Sequence, residues 1–278
     1  MPEGPEIRRV ADRLAEVLVD QRVERVRFGL PRLKPEEGVL SGQRVLDVEP
    51  RGKALLTHFE NGLSLYSHNQ LYGVWRICPA GKPPNLGRSL RVALETADRW
   101  ALLYSASDIE VLEEHELDQH PFLARIGPDV LARDTTPARI RRRLRDRRFA
   151  GRSLGALLLD QSFVAGLGNY LRSEILFFTG LRPEARPKDL DDETIALLAR
   201  QIREVTRRSY RTGGITELPD EVREAKRLGE RRRSFRHAVF GRSGKPCRRC
   251  SARIRRSEVG TRRLYLCPHC QPSRRRRA

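Results

Sequence analysis

Apolar residues recur at Ile7, Val10, Ala11, Leu14 and Leu18, the three-and-four spacing of one helix face. Pro5, inside the leader Pro2-Glu3-Gly4-Pro5-Glu6, suits the first turn of that helix. From Arg22 to Ser105 the pattern shortens to strand-like runs, among them Ala54-Leu55-Leu56-Thr57-His58-Phe59, Leu63-Ser64-Leu65-Tyr66-Ser67 and Arg91-Val92-Ala93-Leu94. Asn61-Gly62 between the first two reads as a hairpin turn. A β-rich domain fronted by one helix is predicted. After Pro128 the period becomes helical: Thr136-Pro137 opens a basic helix through Leu144, and residues 155–180 read as an apolar helix pair broken at Gly166-Leu167-Gly168-Asn169. The charged, glycine-containing stretch from Thr212 to Arg233 is predicted to be a loop or linker.

Charge divides the chain the same way. Of 278 residues, those through Arg125 hold 17 basic against 19 acidic side chains, a balance of −2, and the remainder holds 38 against 17, a balance of +21. The second half is therefore an electrostatic footprint for phosphates, while the first half is free for other chemistry. No apolar run approaches the ~18 residues of a spanning helix, and no charged-then-apolar leader precedes the first helix. A cytoplasmic protein that works on nucleic acid, without membrane contact, is expected. Exposed backbone N–H groups after Gly166-Leu167-Gly168-Asn169 would suit a DNA phosphate, although a plain interhelical turn has the same composition.

The cysteines at 247, 250, 267 and 270 form C-x2-C, sixteen residues, C-x2-C, which is the ligand arithmetic of a tetrahedral zinc site. The segments 253–256 and 262–266 between the pairs are short enough for a metal-held hairpin. One structural Zn2+ on Cys247, Cys250, Cys267 and Cys270 is expected, with His269 a bystander and Cys78 a small buried hydrophobe.

The leader holds the candidate chemistry. Once Met1 is removed, Pro2 becomes a terminal secondary amine with the Glu3 carboxylate one residue away. An α-amino group titrates near pH ~8, so part of it is free at neutral pH to attack an electrophilic carbon such as a ring-opened sugar C1′. A retained Met1 would mask that nitrogen. The plainer alternative is a stiff leader in which Glu3 offsets the helix dipole. Lys53 is one of only six lysines among 55 basic residues, and it stands where an arginine could supply charge but could hardly transfer a proton, although a lone lysine is as readily a solvated surface charge.

Five separated motifs, Pro2-Glu3-Gly4-Pro5-Glu6, Arg51-Gly52-Lys53, residues 66–75 (YSHNQLYGVW), Gly166-Leu167-Gly168-Asn169-Tyr170 and the four-cysteine finger, resemble the Fpg/Nei family in order and over nearly the whole chain. The resemblance implies an α+β multidomain protein. Its parts are an N-terminal β-sandwich with a leading helix (1–125), a helix-two-turn-helix (H2TH) domain (126–235), a C-terminal zinc finger (236–272) and a basic tail (273–278). It implies a monomeric bifunctional DNA glycosylase/AP lyase that flips an oxidised base from damaged double-stranded DNA, excises it and cuts the backbone by β,δ-elimination. By similarity Pro2 is the Schiff-base nucleophile, Glu3 the general acid/base, Lys53 the basic group near the scissile phosphate, and Arg262 the finger arginine of the δ step, with Arg263 its neighbouring competitor. Gln70, Leu71 and Tyr72 match the loop that fills the stack when the lesion leaves, and Arg125 and Asn169 match phosphate contacts. A strand end with Leu71 and Tyr72 in the core, and a surface charge at Arg125, are the competing readings.

Gly4 favours the endonuclease VIII branch and oxidised pyrimidines. The sister branch prefers oxidised purines, and the insert at 212–233 departs from the family pattern beside the base pocket. A non-enzymatic zinc-dependent DNA-binding protein shares the charge, finger and glycine turn, so only Pro2, Glu3 and Lys53 separate the two classes.

Overall fold

The computed structural model describes residues 2–272, so Met1 and the basic tail 273–278 lie outside the described residues. Contacts divide the chain into two compact units, one ending at Arg125 and the other beginning at Ile126.

The first unit opens with a helix, Gly4–Leu18, that buries Ile7, Ala11, Leu14 and Leu18, the stripe expected from the spacing. Eight strands follow: β1 (Arg25–Phe28), β2 (Val45–Arg51), β3 (Ala54–Phe59), β4 (Leu63–His68), β5 (Val74–Pro79), β6 (Leu90–Glu95), β7 (Arg99–Tyr104) and β8 (Asp108–Glu113). They form two antiparallel four-stranded sheets, ordered β2-β3-β4-β8 and β1-β6-β7-β5. One core between the sheets takes Val48, Leu55, Phe59, Leu65 and Ile109 from the first, Phe28, Val92, Leu94 and Leu103 from the second, and the helix stripe. The outer face of the first sheet is covered too, because Ala54, Leu56 and Tyr66 pack against Leu117, Phe122 and Leu123. Cover on both faces explains why Ala54-Leu55-Leu56 is a continuous apolar run rather than an alternating one.

The second unit contains the basic helix Pro137–Arg145, which begins where predicted, with the Thr136 hydroxyl accepting from the Arg139 N–H at 3.2 Å. Helix Asn169–Phe178 is buried from Tyr170 to Phe177, and the long helix Asp192–Arg211 closes over it with Ile195, Leu198, Ile202 and Val205. The predicted helix pair at 155–180 is corrected. Its first member is a single turn, Leu154–Leu157, and the chain then runs through turns to Gly166. Gly155 lets that turn pass close to Pro183: a Cβ there would lie 3.0 Å from the Pro183 side chain and 3.2 Å from its carbonyl.

The stretch predicted as a linker is also corrected. Residues 212–233 contain a helix, Pro219–Arg227, and a further turn, Arg232–Phe235. Proline starts that helix, Asp220 and Glu221 lie in its first turn, Lys226 and Arg227 in its last, and Ala225 and Val222 pack with Ile215 and Phe235. The charge that suggested a linker is the solvated face of a small amphipathic element.

Strands β9 (Arg255–Val259) and β10 (Arg262–Leu266) form the finger hairpin. Leu264 and Leu266 join the helical core rather than a core of the finger's own. Full burial of one leucine contributes about 1.5–3 kcal/mol, so the hairpin is held by packing as well as by its cysteines. Among the described residues no helix is long and apolar enough to cross a membrane.

Candidate active site and nucleic-acid interface

In the first unit Glu3 is the N-cap of helix Gly4–Leu18. Its carboxylate accepts from the Glu6 N–H while the Glu6 carboxylate accepts from the Glu3 N–H at 3.1 Å, a reciprocal capping box. Glu3 is 4% exposed, and Pro2 before it is half-buried. The leader thus fixes a buried carboxylate on the residue after Pro2, and the stiff-leader reading and the chemical reading share that cap.

Lys53 is half-buried at the start of β3, after a tight turn in which Gly52 takes φ +67°. The register puts Ala54 opposite His68, and His68 opposite Asp108. His68 was not singled out by sequence, yet it links two candidate groups. Its Nδ1 accepts the Gln70 backbone N–H at 3.2 Å, and the Lys53 charge acts on its ring. Burial is the main force lowering the His68 pKa, Asp108 opposes it, and Lys53 adds to it. The imidazole is therefore neutral at neutral pH, with its proton on Nε2.

A folded pKa below the unfolded ~6.5 means the unfolded chain binds more protons in the window just beneath that value. Stability is therefore full above that window and falls as pH drops through it. Thermal melts of the His68→Gln variant should show a shallower loss than the parent as pH falls below ~6.5. An unchanged slope would remove His68 as its source.

Gln70 adopts φ +48°, and its side-chain oxygen accepts from Ser107 Oγ at 3.1 Å. Leu71 and Tyr72 follow at 55% and 71% exposure, so they are not core. Gly73 permits this projection, since a Cβ there would stand 2.6 Å from the Asn69 carbonyl oxygen. The buried Trp75 then anchors β5. Two large apolar side chains held out on a braced loop suit insertion between bases. At the end of this unit Arg125 is exposed on a 3-10 turn, and its guanidinium has no partner among the described residues.

In the second unit the Gln161 side chain holds the glycine turn: its Oε1 accepts from the Gly166 N–H at 3.0 Å and its Nε2 donates to the Leu167 carbonyl at 3.0 Å. Gly166 takes φ +95° and Gly168 is the extended N-cap of helix Asn169–Phe178. Asn169 is half-buried at that N-terminus, where backbone N–H groups favour an anion.

The four finger cysteines converge. Their Sγ atoms all lie within 4.8 Å of one another, with Cys250–Cys267 at 3.4 Å, Cys250–Cys270 at 3.5 Å and Cys247–Cys270 at 3.9 Å. Those gaps are far beyond a disulfide bond and close to the ~3.8 Å edge of a tetrahedron with ~2.3 Å zinc–sulfur bonds. The Ala252 backbone N–H pulls the Cys250 thiol down to about 6, whereas burial pushes the Cys247 and Cys270 thiols up. His269 is exposed and outside the cluster, and Cys78 is buried, its thiol pushed up by burial. Gln271, missed by sequence, ties the second knuckle to the helices: its Oε1 accepts from the Cys267 N–H at 3.0 Å and its Nε2 donates to the Leu181 carbonyl at 2.8 Å. Arg262 and Arg263 are both exposed, with no side-chain partner among the described residues.

Three family descriptions match in order: the formamidopyrimidine-DNA glycosylase N-terminal domain over residues 1–107, its H2TH domain over 126–219, and the zinc finger found in FPG and IleRS over 244–272. Endonuclease 8 of Escherichia coli (strain K12 / DH10B) is 50% identical over 271 residues, covering 98% of this chain and all of the relative. The chain belongs to the Fpg/Nei family. Endonuclease 8 of Salmonella typhimurium (strain SL1344) is similar at 49% over the same extent. The Lactococcus lactis Fpg complex with abasic-site DNA shares the fold at a TM-score of 0.80 and 25% identity, covering 98% of this chain and all of that one. A MutM complex with carbocyclic 8-oxo-G DNA gives 0.79 at 23% identity, again over 98% of this chain and all of that one. One structural zinc on Cys247, Cys250, Cys267 and Cys270 is thus supported both by the match to the zinc finger found in FPG and IleRS and by the donor geometry. Its chemistry is that of a brace, drawing two thiolate pairs together.

Proposed function

We propose that the Pro2 nitrogen attacks C1′ of an oxidised nucleotide in duplex DNA, forming a Schiff base. The chain is a base-excision-repair DNA glycosylase and AP lyase, and it binds DNA. The observation that carries the mechanism is the buried Glu3 carboxylate, fixed by the helix cap next to Pro2.

In the proposed sequence the Pro2 nitrogen forms a bond to C1′ as the glycosidic electron pair leaves with the base, which solvent protonates; the Glu3 carboxylate takes the proton that the alkylated amine sheds and delivers it to O4′ as the C1′–O4′ bond opens to the iminium. Loss of a C2′ proton then expels the 3′ phosphate, and loss of a C4′ proton expels the 5′ phosphate. Lys53 stands by the scissile phosphate and Arg262 assists the second elimination. Arg262 is favoured over Arg263 by strand alternation: it lies on the β10 face of Leu264 and Leu266, which the helical core covers, while Arg263 shares the face of Tyr265. Extrusion of the lesion costs a few kcal/mol, and Gln70, Leu71 and Tyr72 recover part of it by filling the gap. Arg125 and Asn169 hold phosphates. Gly4, buried at the start of the first helix, favours the endonuclease VIII branch and hence oxidised pyrimidines. The enzyme acts as a monomer in the cytoplasm, at the nucleoid.

Borohydride reduction on an abasic duplex is the deciding experiment, because it converts an iminium into a stable amine. A covalent complex mapping to Pro2 is expected, absent when the amine is acetylated or Met1 is retained. A gel shift with no covalent product would leave only DNA binding.

A further inference from the structure

We propose that Arg172 is a positioning residue for the lyase reaction, setting the Asn169 amide and the backbone of Arg262 with one buried guanidinium. The inference rests on the roles assigned above to Asn169 and Arg262. Arg172 lies in the first turn of helix Asn169–Phe178 and is 0% exposed, among the largest fully buried side chains of the described residues. Its Nη1 donates to the Gly155 carbonyl at 2.7 Å. Its Nη2 is shared among the Asn169 Oδ1 at 3.0 Å, the Arg263 carbonyl at 3.1 Å and the Arg262 carbonyl at 3.4 Å.

Two consequences follow from donor chemistry. A guanidinium has only donors, so the Asn169 amide must turn its oxygen toward Arg172. Its NH2 then faces the other way, with both protons available to an anion at the helix N-terminus. The same Nη2 grips the backbone at the first two residues of β10, so the strand carrying Arg262 is registered against Asn169. Gly155 has to be glycine for the chain to pass Pro183 closely, and its carbonyl holds the other side of the fork. A planar fork can reach these acceptors together, whereas an ammonium on a lysine stem is a point donor that can serve only some of them. Burying a guanidinium costs enough that plain packing does not account for it; orientation of two polar partners does.

The test compares Arg172→Met, Arg172→Lys, Asn169→Ala, Arg262→Ala and the combined variants in the full zinc-loaded chain. Zinc content and melting are measured first, then binding to an abasic duplex and the ratio of δ- to β-elimination product in single turnover. Arg172→Met should retain one zinc, bind about tenfold more weakly and yield about tenfold less δ product per β product, with Arg172→Lys intermediate. In the Asn169→Ala, Arg262→Ala background the Arg172→Met change should have little further effect on either readout. Full additivity in that background would overturn the proposal, as would a parental product ratio in both Arg172 variants. If Asn169→Ala and Arg262→Ala themselves leave affinity and product ratio unchanged, their assigned roles fail, and the positioning inference goes with them. Should Arg172→Met fail to fold, Arg172→Lys keeps the test open, because a merely structural role predicts that its product ratio stays parental.

Discussion

Glu3→Gln is expected to lower excision of an oxidised pyrimidine by about 10²–10⁴-fold, the range of positioned acid/base catalysis, with affinity for the same duplex little changed. The amide oxygen of Gln can still accept the Glu6 N–H, so the cap on helix Gly4–Leu18 survives and the melting temperature should hold. What Gln cannot do is release and recover a proton. Glu3→Ala differs, since it also removes the cap, at a cost of about 0.5–2 kcal/mol. The pair therefore separates chemistry from helix stability. An abasic sugar already opens to its aldehyde without help, so strand cutting of a preformed abasic duplex by Glu3→Gln should fall much less than base excision. Stopped-flow excision, melting and abasic cleavage on the two variants check this. Parallel loss of excision, affinity and stability in Glu3→Gln would assign the residue to folding.

Glu3 also shows why two readings of one motif were both legible in the sequence. Residues that cap a helix and residues that move protons are drawn from the same short list, and a carboxylate at an N-cap does the first whether or not it does the second. The helix stripe, the strands at 54–68 and the cysteine spacing were readable because each follows from local period or spacing. The insert at 212–233 was misread because its charge dominates its composition, while the few apolar contacts that fold it, Ala225 and Val222 against Ile215 and Phe235, are separated along the chain. His68 could be found only through register: it lies opposite Ala54, the neighbour of Lys53, where it feels the Lys53 charge and accepts the Gln70 N–H. Arg172 and Glu174 went unremarked in the sequence, since charged side chains mostly stay at the surface, yet both are 0% exposed. Glu174 accepts from the backbone N–H groups of Ala238, Val239 and Phe240 at 2.8, 2.8 and 2.9 Å, and from Thr216 Oγ1 at 2.6 Å. Buried charges of this kind are fixed by tertiary partners, which local pattern does not encode.

Those same buried partners bear on what zinc removal should do. The hairpin of β9 and β10 is two strands, too little to stand alone in water, and the small cluster of Phe177, Ala238, Val239 and Ile254 includes the ligands Cys247 and Cys267 themselves. Zinc binding in small finger domains supplies about 10–16 kcal/mol near pH 7, far more than the about 1.5–3 kcal/mol from burying Leu264 or Leu266. Chelation should therefore unfold residues 244–272 even though Gln271 and the Leu264 contact tie them to the helices. The first unit shares no ligand with the site, so its hydrogen-exchange protection in β3 and β4 should persist while that of β9 and β10 collapses. With Arg262 released, the log–log salt slope of DNA binding should lose about one unit or more, and δ product should fall relative to β product. Borohydride trapping at saturating abasic duplex should survive, because Pro2 and Glu3 belong to the other unit. Protection of β9 and β10 that outlasts complete zinc removal would show that packing alone folds the finger.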